Sequence, residues 1–217
     1  MSSGEVRQAI EVQAEVLGPV LYTGVATSLA AALIRNKGLG HDKYPHLLPL
    51  LVRAEMREFL ESNPAPNSWT IGGDSRKMGQ LLLTQRDLSL EMRFLKERRR
   101  TYPGGVPIAG KNQVRRQQWT SDPLDIAVPE PTRNDIDPVR VLLLWDFLDG
   151  QTLDQFTLRI VHTLAPGVHG QAVPCDLIVD VKDGGTIFSH LKFPGSPEHD
   201  DFFMVEIAEE EEGDSGS

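Results

Sequence analysis

The chain has 217 residues, 40% of them hydrophobic and 24% charged, which is enough apolar material to fill the core of one large domain or two small ones. Its one cysteine, Cys175, excludes an intramolecular disulfide and any cysteine-rich zinc site, and it favours a reducing, cytoplasmic compartment. The formal net charge of −9 is uneven, because residues 1–137 carry +2 (18 Lys+Arg against 16 Asp+Glu) and residues 138–217 carry −11 (4 against 15).

Helical periodicity begins near the N-terminus. Residues 5–17 predict a helix, and a second helix is expected over 20–35, because the Gly18-Pro19 pair should kink or restart the first one. Residues 16–34 contain no charge, so this segment is close to the length that a bilayer requires. The favoured interpretation is a buried central helix, with a membrane span as the alternative.

A third helix is predicted over residues 47–61. Leu48 and Phe59 are expected to face the core, whereas Arg53 and Arg57 are expected to face water. The NPAPN sequence that follows should end this helix, because the residue before each proline is pushed out of the helical region.

Residues 75–100 are predicted to form a short helix, a tight turn and a longer helix. Asp74 or Ser75 can cap the first helix, and the sequence from Thr84 to Asp87 fits a capping box at the start of the second. The second helix would end in a basic cluster. This pair has the outline of a helix-turn-helix unit.

From residue 139 onwards the pattern is that of β-structure. Strands are predicted at residues 139–147, 156–164, 172–181, 186–193 and 202–208. Because turns and no helices separate them, they indicate an antiparallel, sandwich-like arrangement.

These patterns together predict an α+β fold in which an N-terminal helical part packs against a C-terminal antiparallel β-sandwich-like part. The predicted organisation is a helical domain over residues 1–120, a proline-rich linker over 121–138, a β-rich domain over 139–207 and a disordered acidic tail over 208–217.

Residues 105–112, GVPIAGKN, differ by one residue from the phosphate-binding pattern G-x-x-x-x-G-K-[ST]. A working phosphate loop follows a buried strand and opens a helix. Here the preceding segment is charged, and Asn112 lacks the hydroxyl that would hold magnesium. The sequence therefore predicts a solvent-exposed turn and no nucleotide site.

The segment from residue 86 to 116 has nine Lys+Arg against three Asp+Glu, a charge of +6. Arginine can bind phosphate or carboxylate bidentately, and Tyr102 and Trp119 could stack on exposed bases. The candidate residues for binding an anion or a partner are Arg98, Arg99, Arg100, Lys111, Arg115 and Arg116.

One short sequence, LIVDVK at residues 177–182, resembles the active-site strand of the PD-(D/E)xK nuclease superfamily. The resemblance implies that Asp180 and Lys182, with Asp146 as the second acid, would hold a divalent metal that activates water. It covers only these few residues. The sequence departs from the family at 183–201, which is rich in glycine and proline where the family has a helix.

The sequence identifies no catalytic constellation, cofactor or metal site, and it indicates no small-molecule substrate. The favoured hypothesis is a non-enzymatic cytoplasmic binding or regulatory protein, whose basic segment engages another protein with an acidic surface. The first alternative is a DNA-binding transcriptional regulator that uses residues 75–116. The second alternative is a metal-dependent nuclease.

Overall fold

A computed structural model describes residues 3–39, 43–124, 137–148 and 155–184. These residues contain helices and a mixed sheet, so the fold is α+β, as the sequence predicted. The elements in chain order are α1 (Ser3–Arg35), α2 (Leu47–Ser62), β1 (Thr70–Gly72), β2 (Leu82–Gln85), β3 (Leu90–Lys96), α3 (Gln113–Gln117), β4 (Val139–Phe147), β5 (Phe156–Thr163) and β6 (Cys175–Asp180).

The six strands form one open sheet in the order β1 to β6. Neighbouring strands are antiparallel, except that β3 and β4 run parallel. Strands from both sides of the predicted linker (121–138) therefore share one sheet. The sandwich-like arrangement is not confirmed, because the described sheet is open. The strands predicted at 186–193 and 202–208 and the tail predicted at 208–217 lie outside the described residues.

The helices α1 and α2 cover one face of the sheet. The residues that α1 buries recur every three or four positions and are Ile10, Ala14, Leu17, Leu21, Val25, Leu29 and Ala32. The helix is continuous through Pro19, where the sequence predicted a kink or a restart. Pro19 lies on the exposed side of α1, so water can reach the carbonyl group that its missing N–H leaves unpaired.

By length and composition α1 also meets the criteria for a membrane span, as core helices of soluble proteins do. Its most apolar stretch is 44% buried against the rest of the protein. The structure thus shows one face of α1 in the core, and the choice between a buried central helix and a membrane span for residues 16–34 stays a prediction.

The helix-turn-helix unit predicted at residues 75–100 is not formed. Turns are followed by an antiparallel hairpin of β2 and β3. Leu90 and Met92 alternate along β3 and are buried, which is the period of a strand. The helical prediction was wrong because Leu88, Met92 and Leu95 also have helical spacing, and packing of β3 beneath α2 and beside β4 decides between the two periods.

The opposite face of the sheet, which we call the loop face, is covered by the segment between β3 and β4. Its core consists of Leu95, Val106, Ala109, Trp119, Leu142, Leu144, Val161 and Val173. The Trp119 side chain is fully buried there, and its Nε1 donates to the Pro107 carbonyl oxygen at 2.8 Å. Thr163 Oγ1 donates to the Trp119 carbonyl oxygen at 3.0 Å. The loop face therefore has a rigid aromatic centre.

The two long helices are in close contact at Gly24. A Cβ atom there would lie 2.8 Å from Cδ1 of Phe59 and 2.9 Å from Sδ of Met56. We expect Gly24→Leu to lower the free energy of unfolding by more than about 2 kcal/mol, because the added side chain overpacks the interface. Ala26→Leu, on the exposed side of α1, is the matched control and should change stability by less than about 0.5 kcal/mol. Equal urea midpoints for the two variants would contradict this packing.

Candidate anion-binding site

Three half-buried arginines from three different elements lie close enough for their charges to interact. Arg53 comes from α2, Arg93 from β3 and Arg115 from α3, and we call them the arginine cluster. Burial lowers the pKa of each, and the charge of Arg115 further lowers the pKa of both other members. For Arg93 the pKa falls to about 10. The three guanidinium groups remain charged at neutral pH and repel one another.

The buried indole of Trp119 orients two members of the arginine cluster. The Cζ atom of Arg115 lies 5.2 Å from the centre of the Trp119 ring, and that of Arg93 lies 5.8 Å from it. Both distances are within the range of a cation–π interaction. Arg93 also donates from Nη1 to Oε1 of Gln118. The guanidinium groups of Arg93 and Arg115 are thus positioned by the Trp119 ring, and that of Arg93 also by the Gln118 amide.

Within the described residues, no member of the arginine cluster forms an ion pair. Of the charges that shift the pKa of Arg93, Glu91 has the smallest effect, and it raises that pKa. The Nε atoms of Arg53, Arg93 and Arg115 are out of contact with solvent, and none has an acceptor among the described residues. Each side chain retains some exposed surface. The cluster is therefore an accessible concentration of uncompensated positive charge.

A second group of charged side chains near the end of β3, the ion-pair network, has a different charge balance. It consists of Lys96, Glu97, Arg99, Asp146 and Arg159. The fully buried carboxylate of Glu97 accepts from Arg99 Nε at 2.7 Å and from Arg159 Nε at 2.5 Å. Asp146 pairs with Lys96, and its Oδ2 lies 3.9 Å from Arg99 Nε. Two carboxylates thus compensate most of the positive charge of this network.

The sequence-predicted binding residues divide between these two groups and the open surface. Arg98 is close enough to Arg115 to lower its pKa. Arg99 belongs to the ion-pair network. The other three predicted residues are exposed and form no ion pair in the part of the chain that the structure describes: Arg100, Lys111 and Arg116.

Arg53 and Arg93 were missed as site residues. Arg53 was expected to face water, but it is half-buried, because α2 lies against the turn around Gly79 that precedes β2. The alternation of β3 could have revealed Arg93, since burial of Leu90 and Met92 sends Arg93 to the opposite face of the sheet. The long-range meeting of α2, β3 and α3 has no local signal in the sequence.

Arg57, one helical turn after Arg53, was also expected to face water. Its Nη2 instead donates to the carbonyl oxygens of Gly72, Gly73 and Gln80, at 2.7, 2.9 and 3.0 Å. Arg57 thus satisfies the backbone of the turn before β2. It is a structural residue, in contrast to Arg53.

The GVPIAGKN sequence is neither a phosphate loop nor a fully exposed turn. Val106 and Ala109 are buried in the loop-face core, and Lys111 is exposed. Asn112 is the N-cap of α3, and its Oδ1 accepts from the backbone N–H of Arg115 at 3.2 Å. The residue that departs from the phosphate-loop pattern therefore starts the short helix that carries Arg115.

The residues of the nuclease resemblance are separated by a strand. Asp146 on β4 lies opposite Thr157 on β5, and Asp180 on β6 lies opposite Arg159 on β5. Two strand spacings, together with the offset of two residues along β5, place the Cα atoms of the two acids about 12 Å apart. Asp146 is engaged by Lys96, while Asp180 and Lys182 are exposed. Among the described residues there is no group of three or more His, Cys, Asp or Glu side chains that could hold a metal.

Comparison of the chain with known protein families, with curated proteins and with solved structures found no match. What the described site can do must therefore follow from its own geometry. Three charged guanidinium groups that are reachable from solvent, two of them beside the ring of Trp119, are suited to binding an anion.

Replacing Arg53 with an uncharged residue should not destabilise the protein. We expect Arg53→Met to increase the free energy of unfolding, by up to about 1 kcal/mol after solvent screening of a part-exposed charge, because it relieves repulsion within the cluster. Arg57→Met is the matched control and should lower the free energy by about 2 kcal/mol, since three carbonyls lose their donor. Urea unfolding at low salt measures both, and a loss of stability in Arg53→Met would contradict the repulsion.

Glu97 should be essential for folding stability. We expect Glu97→Gln to lower the free energy of unfolding by about 3 kcal/mol, because it leaves the two arginine charges of Arg99 and Arg159 without their buried counter-ion. The exposed Glu58→Gln serves as the control for loss of one carboxylate. The midpoints of thermal and urea unfolding should differ clearly between the two variants. Similar midpoints would show that the ion-pair network contributes little to the stability of the fold.

Proposed function

We propose that the protein is a non-enzymatic binding or regulatory protein of the cytosol, whose basic surface engages an acidic surface on another protein. The observation that carries this proposal is the arginine cluster, in which charges from α2, β3 and α3 are held together without a carboxylate partner among the described residues. The single cysteine of the chain agrees with a reducing compartment.

Exposed and half-buried basic residues would contribute differently to such binding. Arg100, Lys111 and Arg116 are exposed, so they would steer an acidic partner by long-range attraction and would add little affinity individually. Arg93 and Arg115 are half-buried and oriented, and such arginines commonly provide most of the binding energy at interfaces. The arginine cluster would thus be the centre of the contact surface.

The DNA-binding alternative has lost two of the observations that favoured it. The helix-turn-helix unit at residues 75–100 is a turn and a β-hairpin. The aromatic residues that could have stacked on bases are buried: Trp119 in the loop-face core, and Tyr102 with its ring edge-on to His169 at 5.8 Å. Attraction to the phosphate backbone would remain, and we treat it as a competing outcome of the test below.

Anisotropy measurements with labelled polyglutamate and a labelled DNA duplex test this function. We expect polyglutamate to bind at 50 mM salt and to weaken as salt rises. Arg115→Glu should reduce its affinity about tenfold or more. Arg76→Glu makes the same change of charge at an exposed site paired with Asp74 and should have little effect.

Failure of polyglutamate to bind at low salt would contradict the proposal. Tighter binding of the duplex, with the same dependence on Arg115, would favour the DNA-binding alternative instead. Equal losses in the Arg115 and Arg76 variants would show that overall charge, and not the basic surface, determines binding.

A further inference from the structure

We propose that the arginine cluster is a binding site for a phosphate monoester. This inference deepens the proposed function, because it names the anion that the partner would present. It rests on that function only in taking the partner to be a protein. Its ligand is the dianionic group that a phosphorylated side chain or a small phosphorylated molecule carries.

The charge of the cluster matches a dianion better than a single carboxylate. In the ion-pair network one carboxylate, that of Glu97, accepts from two arginines. The arginine cluster has three guanidinium groups, Arg98 lies near enough to lower the pKa of Arg115, and the carboxylate of Glu91 opposes this charge only at Arg93. A phosphate monoester has a charge of about −2 near pH 7 and three acceptor oxygens, so it can compensate more of this charge at one point.

The hydrogen-bonding edges of the cluster also match a compact oxyanion. The Nε atoms of Arg53, Arg93 and Arg115 are out of contact with solvent, so a ligand would reach these side chains at the outer N–H groups of their guanidinium ends. An arginine grips an oxyanion through its planar fork of N–H groups. Phosphate oxygens would supply acceptors to more than one guanidinium at once, which a side-chain carboxylate with two oxygens does less completely.

The cluster is organised before any ligand arrives. Trp119 is fixed by its bonds to Pro107 and Thr163, and it orients Arg93 and Arg115 through its ring. Arg93 is further held by Gln118. Preorganised donors lose little side-chain entropy on binding, so even a small anion can bind measurably. The burial of Trp119 leaves no ring for base stacking, which favours a phosphoryl group over single-stranded nucleic acid.

Titration calorimetry with inorganic phosphate tests the site directly, at pH 7.5 and at constant ionic strength set with sodium chloride. We expect saturable binding of one phosphate to the full chain. Arg93→Gln and Arg115→Gln should each weaken binding at least about tenfold. Arg76→Gln removes the same charge at an exposed site paired with Asp74, outside the basic surface, and should remain within about twofold of the unmodified protein.

Two further ligands test the charge and the shape of the anion. Dimethyl phosphate keeps the tetrahedral centre with a single charge, and glutarate carries two charges on separate carboxylates. Both should bind at least about tenfold more weakly than inorganic phosphate. Equal binding of either one would overturn the assignment to a phosphate monoester.

Arg115→Lys keeps the charge and removes the fork, so it separates bidentate recognition from simple attraction. With far-ultraviolet circular dichroism unchanged, this variant should bind phosphate about fivefold more weakly. Retention of full affinity in Arg115→Lys, or a loss in Arg76→Gln equal to that in Arg115→Gln, would overturn the site.

The source of the phosphoryl group is distinguished by comparing free phosphoserine with a phosphoserine peptide. Tighter binding of the peptide assigns a phosphorylated protein, and equal binding assigns a small phosphorylated molecule; either result supports the site. If phosphate fails to bind while polyglutamate still does, this inference is wrong and the proposed function stands. If phosphate binds and polyglutamate does not, the site stands and the acidic-surface function falls.

Discussion

The parallel pairing of β3 with β4 is the constraint on which the rest of the structure depends. Every other pair of neighbouring strands is antiparallel and can be joined without crossing the sheet, whereas parallel neighbours need a crossover connection. Residues 97–119 of that connection lie on the loop face and carry α3 and Trp119. Without the parallel pair, Arg115 would have no reason to lie near Arg93, and the arginine cluster would not form.

The start of the crossover also determines how the charges are distributed. Immediately after β3, the N–H of Glu97 donates to the Trp145 carbonyl, and the N–H of Arg98 donates to the Gly105 carbonyl, both at 2.8 Å. This tight turn sends the Glu97 side chain into the interior, where it engages Arg99 and Arg159. The nearby carboxylates are therefore used within the ion-pair network, and the positive charge beyond it remains uncompensated.

The close fit of that turn explains why the two groups of arginines stay distinct. Gly105 has a positive φ of 78°, and a Cβ atom there would lie 2.6 Å from Oε2 of Glu97 and 2.9 Å from Cγ of Arg99. Only glycine allows the turn to pack so closely over the buried carboxylate. The turn thereby fixes Arg99 against Glu97 and keeps Arg98 on the side of Arg115.

The sequence was sufficient to predict a helix or strand wherever one hydrophobic period dominated a segment. The apolar run of β4 was predicted at its observed bounds, and α2 was predicted to within one residue of its end. The β2–β3 hairpin was mistaken for helices, because its leucines and Met92 satisfy both periods and only contacts with α2 and β4 distinguish them. Arg53 was misplaced for a related reason: its burial depends on the turn around Gly79, which lies far from it in sequence.

The GVPIAGKN sequence shows why a contiguous motif was a poor guide to anion binding here. Its lysine, Lys111, is exposed, and its glycines shape a crossover rather than a phosphate cradle. The residue that breaks the pattern, Asn112, caps α3 and so helps to place Arg115. The proposed anion site is instead composed of arginines tens of residues apart in sequence, two of which meet at one buried tryptophan. Any substitution that displaces Trp119 should therefore affect anion binding and the loop-face core together, because both use the same ring.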